Sequence, residues 1–167
     1  MEIIRQSDFD EVIKYLEDLG SFNYKDTQKN LGAYSYYYFV RITEDEFWSL
    51  VFLQITEVLQ IAPKDHDRRL RAVAERAVML GNIRLSVNWD LREVRDQTKK
   101  LYNEHGKNAI NPLVVRDLRR DENRFLPAFK YIHDGCHRSL GFALSILERE
   151  FTYYLVEAFL ATNQRLI

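Results

Sequence analysis

The sequence predicts an α+β fold. A mixed sheet with helices is expected over residues 82–167, preceded by a mainly helical section over residues 1–81. Three observations lead there. Apolar residues recur at helical spacing through most of the first half. Short alternating runs and helical runs take turns in the second half. The 167 residues are 46% hydrophobic, enough to build a core for one domain or one domain with a substantial extension.

The first helix follows Ser7 and Asp10, which resemble a capping box. Phe9, Val12, Ile13, Leu16 and Leu19 share one face, and Gly20 is the stop. Residues 21–32 are polar and read as a loop. In "AYSYYYFVRI", Tyr34, Tyr36, Tyr38 and Val40 fall on one face of a strand, with Tyr37 and Phe39 on the other. Aromatic residues at this density suit base stacking, but a buried strand is the preferred reading. Thr43 and Glu46 form a second capping box. Trp48, Val51, Phe52, Ile55, Val58 and Leu59 then make one helical stripe ended by Pro63. Asp65 or Asp67 caps a third helix with Leu70, Val73, Ala74 and Ala77, which stops at Gly81.

The order from Asn82 is strand, helix, strand, strand, helix, strand. "NIRLSV" alternates. "NWDLREVRDQTKKLYNEHG" places Leu91, Val94, Thr98, Leu101 and Tyr102 on one helical side, closed by Gly106. "NPLVV" reads as a short buried strand, and the charged "RDLRRDENR" as a connection. "FKYIH" alternates again. A helix follows over residues 139–151, and "TYYLVEAFL" is the last strand.

Composition narrows the functions. The formal net charge is -1, so DNA binding driven by overall charge is not expected, although a local basic patch remains open. One cysteine makes neither an internal disulfide nor a multi-cysteine zinc site. The opening residues carry no signal-peptide core, and the longest apolar stretch, near Trp48 to Ile55, is too short to span a bilayer. These features predict a cytoplasmic protein with no membrane partner.

The chemistry concentrates in "DGCHR", Asp134 to Arg138, between an expected strand and an expected helix. The first turn of a helix carries unpaired N–H groups and a partial positive charge, so phosphates bind there. Gly135 leaves room for an anion to approach the backbone. Arg138 supplies a planar fork of donors, and His137 a donor or a proton. Asp134 fits a metal–phosphate ligand, a general base or a plain helix cap. Cys136 is either a small apolar residue or, beside Arg138 at a helix start, an activated thiol. His133 and His137 are four apart, but His133 belongs to the strand, so the helical metal-pair spacing does not apply. His66 and His105 read as exposed or helix-end residues.

With those residues in view, "YIHDGCHRSLGFAL" resembles the signature turn of the ParB/sulfiredoxin superfamily. "LREVRDQTKKLYNEHGKNAINPLVVRDL" is similar to the family's first helix and proline-headed strand, and "LEREFTYYLVEAFL" to its helix end and last strand. The resemblance covers about residues 82–162. It implies nucleotide binding at the turn. Gly135, Cys136, His137 and Arg138 match sulfiredoxins, in which the cysteine is the catalytic thiol and the histidine and arginine hold ATP phosphates. Asp134 matches the kinase-like and ParB-like members. Polar residues of the first helix, here among Asp90 to Thr98, are implied on the nucleotide.

Four functions are consistent with these readings. The leading one is an enzyme that holds ATP or CTP with Mg²⁺ at Gly135, Cys136, His137, Arg138 and Ser139 and hydrolyses or transfers a phosphoryl group. Asp134 would hold the metal or act with Cys136 and His137 in catalysis. The second is a DNA-binding protein or nuclease that uses Arg116, Arg119, Arg120, Arg124 and Lys130 around the same turn. The third is thiol chemistry at Cys136. The fourth is a binding module whose N-terminal section recruits a partner.

Overall fold

A computed structural model describes residues 1–20, 24–62, 67–110, 112–117 and 130–167. Pro63, Asp65, His66, Arg119, Arg120, Arg124 and most of the charged connection before Lys130 lie outside the described residues.

The chain forms β1 (Glu2–Ser7), α1 (Phe9–Asp18), α2 (Tyr24–Leu31), β2 (Tyr36–Ile42), α3 (Glu44–Ser49), β3 (Val51–Phe52), α4 (Thr56–Ile61) and α5 (Leu70–Leu80). It continues with β4 (Arg84–Ser86), β5 (Trp89–Asp90), α6 (Leu91–His105), a 3₁₀ turn (Gly106–Asn108), β6 (Leu113–Asp117), β7 (Lys130–Asp134), α7 (Cys136–Leu147) and β8 (Val156–Thr162). This is an α+β architecture built on a mixed sheet of order β1-β2-β8-β6-β7-β3, with β4 and β5 as a separate hairpin. The pairs β8–β6 and β7–β3 are parallel, and the other three are antiparallel. Strands from residues 1–81 and from residues 82–167 thus share one sheet.

The alternation of each strand sends side chains into two cores. Tyr38, Val40, Ile42, Leu113, Val115, Ile132, Ala158 and Leu160 meet apolar residues of α3 to α7 on one face. Tyr37, Val114, Phe159 and Ala161 meet Val12 and Leu16 of α1 and Leu31 on the other. The tyrosines of β2 are therefore core residues, and Tyr34 joins the second core from just outside the strand.

Five local expectations need correction. The section 1–81 carries three strands among its described residues, not one. Residues 2–7 pair along β2, and the cap of α1 is Asp8, which accepts from the Glu11 N–H at 2.8 Å. Ser7 instead donates to the Glu11 carboxylate. Residues 24–31, read as loop, form α2, whose Leu31 is fully buried. The stripe from Trp48 to Leu59 is not one helix. It breaks into α3, β3 and α4, because Val51 and Phe52 pair with Tyr131 and Ile132. The Arg68 guanidinium donates to the Phe52 carbonyl at 2.8 Å, which holds the short strand in place. Last, α7 ends at Leu147 instead of Phe151. Arg149 takes a left-handed φ of 61°, and the Glu150 N–H turns back to the Ser145 carbonyl.

Candidate functional site

Antiparallel pairing of β6 and β7 places Asp134 opposite Val114 at the end of the strand. Gly135 follows with φ +96° and ψ 21°, a left-handed conformation that suits glycine. The helix α7 opens at Cys136, as the strand–turn–helix reading of the motif requires. Ser139 N–H donates to the Gly135 carbonyl at 2.8 Å, the first bond of the helix. The N–H groups of Cys136, His137 and Arg138 precede it, in the turn where a helix has no internal acceptors.

An open cleft of about 800 Å³ faces this helix start. One wall is the run His133 to Arg138. The other comes from α6 and the 3₁₀ turn, with Gln97, Leu101, His105, Asn108 and Ala109, and Leu19 closes a corner. Gln97 falls within the stretch of α6 from which the family resemblance implied polar contacts. Periodicity hides it, because Gln97 lies between the buried Val94, Thr98 and the half-buried Leu101. His105 and Asn108 carry no motif and reach the cleft only through the turn of the chain.

The five predicted phosphate contacts separate into distinct environments. Gly135 is less open than its sequence suggests. A Cβ there would lie 2.5 Å from Leu113 Cδ2 and 3.2 Å from Arg138 Nη2, so the space is already filled. Arg138 folds back over that glycine. Its Nη2 donates to Asp134 Oδ2 at 2.7 Å, and its Nη1 to the Pro112 carbonyl at 3.2 Å and to the Tyr15 hydroxyl at 3.5 Å. Tyr15 donates in turn to the Pro112 carbonyl at 2.7 Å. Asp134 is thus an ion-pair partner four residues from Arg138, and its side chain does not cap α7. Ser139 is fully buried, its hydroxyl donating to the Gly135 carbonyl at 2.8 Å, away from the cleft wall.

His137 turns the other way. Its ring lies 4.4 Å from the Trp89 ring. Loss of solvent around the ring lowers its pKa below the ordinary value, against the opposing charge of Glu57 and a hydrogen bond with the Asn88 backbone. The residue as a whole is solvent-exposed, so its neutral ring can still accept or donate in the cleft.

Cys136 is pushed up to about 12, first by burial of its sulfur and second by the charge of Asp134; Arg138 opposes this. The helix start does not compensate. The thiol is therefore protonated at neutral pH. Alkylation of native Cys136 by iodoacetamide is expected to be far slower than in the urea-unfolded chain. Its rate should keep rising with pH towards about 12. An inflection near neutral pH would restore the activated-thiol reading.

The described members of the basic group contribute little surface to the turn. Arg116 is buried, donating to the Tyr34 hydroxyl and lying over the Tyr131 ring. Lys130 is paired with Asp117. Among the described residues no group of three histidine, cysteine or carboxylate side chains is placed to hold a metal ion, which includes His133 and His137. No described helix is long and apolar enough to cross a membrane.

No known family model, curated protein or solved structure matches the chain.

Proposed function

We propose that the turn from Asp134 to Arg138 binds the phosphates of a nucleoside triphosphate, ATP or CTP, and that the protein hydrolyses the nucleotide or transfers its phosphoryl group. The observation that carries this reading is the cleft itself. It brings a helix start, an arginine fork and a histidine to one wall of a space of about 800 Å³, a size typical of small-molecule sites. First-turn N–H groups of α7 would hold the phosphate oxygens. Arg138 would add charge and a planar fork, and His137 a donor or a proton. Gln97, His105 and Asn108 line the opposite wall and would face the rest of the nucleotide. The resemblance to the ParB/sulfiredoxin turn supports the same ligand class.

Asp134 is the one carboxylate in the cleft wall among the described residues. A single carboxylate suits Mg²⁺ that arrives with the nucleotide, since that ion commonly takes one or two protein carboxylates plus phosphate oxygens. The metal would neutralise phosphate charge. Arg138, once paired with phosphate, would orient the chain of phosphates along α7, and Asp134 would hold the metal or receive the acceptor's proton.

Calorimetric titration of the full chain with ATP, CTP and GTP, each with Mg²⁺, tests the reading. Arg138→Ala is expected to weaken binding at least about tenfold, the loss of a charge-assisted pair to phosphate being worth roughly 1.5–3 kcal/mol. Unchanged affinity in a folded Arg138→Ala protein would remove the turn from the site. No heat with any nucleotide would count against nucleotide binding, and salt-dependent retention of DNA would then be measured. Cleavage of the γ-phosphate is a separate readout, which Asp134→Asn is expected to abolish.

A further inference from the structure

We propose that the Asp134–Arg138 ion pair is a latch on this site, opened when a phosphate group displaces the Asp134 carboxylate from the Arg138 guanidinium. The proposal rests on the phosphate-binding reading above and adds a regulatory step to it. Both outer nitrogens of Arg138 are engaged, Nη2 by Asp134 at 2.7 Å and Nη1 by the Pro112 carbonyl and Tyr15. The guanidinium is therefore stowed against Gly135 and the end of β7, with Asp134 occupying the edge that a phosphate would take.

The pair is strong enough to hold this arrangement and weak enough to yield. Its side chains are 21% and 25% exposed, so water competes for both charges. A phosphate dianion offers the same fork a better partner, because it carries more charge and can also be held by the first-turn N–H groups. Tyr15 and Pro112 keep the other edge of the guanidinium in place throughout. Arg138 thus need not leave the turn, and only its bond to Asp134 is exchanged. The exchange has a second effect: the carboxylate it releases is free for the metal ion or the acceptor proton only when phosphate is present. Asp134 is a positioning residue for Arg138 before binding and changes role after it.

The test follows the Asp134 carboxylate directly. In the full-length native protein, the ¹³Cγ resonance of Asp134 is recorded as inorganic pyrophosphate is added. It is expected to move towards its position in ligand-free Arg138→Ala, where the pair cannot form. Calorimetry with pyrophosphate gives an independent measure. Asp134→Asn is expected to bind roughly three- to fivefold tighter than native protein, the scale of a partly exposed ion pair. Pyrophosphate binding that leaves the Asp134 resonance in place overturns the latch while keeping the phosphate site. Equal or weaker binding by Asp134→Asn does the same. If neither native protein nor Asp134→Asn binds pyrophosphate or ATP, the phosphate site itself is wrong and the latch goes with it.

Discussion

Gly141→Ala is expected to destabilise the protein by about 3 kcal/mol, the upper end of ordinary core overpacking. Helix propensity alone predicts the opposite sign, since alanine is favoured over glycine inside a helix by about 1 kcal/mol. Packing decides. Gly141 lies in α7 where α6 crosses it, and a Cβ there would stand 1.8 Å from Thr98 Oγ1 and 2.9 Å from the Val94 carbonyl oxygen. Thr98 donates its hydroxyl to that carbonyl at 2.9 Å, so the hydroxyl cannot swing away without losing a buried hydrogen bond. The helices would have to separate. Urea unfolding of Gly141→Ala checks this through its midpoint. Adding Thr98→Ala removes the nearer contact but not the backbone one, so the double variant should recover only part of the loss. An alanine variant as stable as native protein would mean that α6 and α7 do not approach this closely.

Arg95→Ala is expected to cost about 2–3 kcal/mol, somewhat below the loss for a fully enclosed ion pair. Arg95 is only 8% exposed. Its Nε and Nη2 both donate to Glu148 Oε1, at 2.9 and 2.8 Å, and its Nη1 reaches the Gly81 carbonyl, Asn82 Oδ1 and the Leu91 carbonyl. One side chain therefore ties the end of α5, the first turn of α6 and the C-cap of α7. Truncation leaves several acceptors without a donor, while Glu148 is exposed enough to regain some water. Arg95→Lys should not rescue, because a point charge cannot satisfy acceptors on three sides. Thermal melts of both variants decide the matter, and native-like midpoints would show that the cluster contributes nothing. Gly141 and Arg95 both lie where α6 and α7 meet, and the same two helices border the cleft. Loosening either contact should lower stability and, if the proposed nucleotide site is correct, weaken its binding.

Much of the local structure is legible in the chain. The stripe Leu70, Val73, Ala74 and Ala77 with Gly81 behind it marks α5, and Leu91, Val94, Thr98 and Gly106 mark α6. The alternation in Tyr36 to Val40 marks β2. The DGCHR turn was readable for the same reason: its signals, a strand end, a glycine and a helix start, act within a few residues. Where sequence reading failed, pairing across the chain overrode local pattern. Residues 44–61 have a helical apolar period, yet Val51 and Phe52 leave it to pair with β7, some eighty residues away. Residues 2–7 become a strand because the edge of β2 accepts them.

The sequence by itself determined the candidate residues, from Asp134 to Ser139, and the helix start that groups them. Tertiary structure alone decided what they touch. Arg138 meets Pro112 and Tyr15, which are 26 and 123 residues away in the chain. His137 meets Trp89, Ser139 is buried, and Gln97 faces the turn across the cleft. Spacing along a helix or strand specifies only which side of its own element a residue occupies. Partners, burial and the acidity of Cys136 come from what the packed sheet and helices bring against that side.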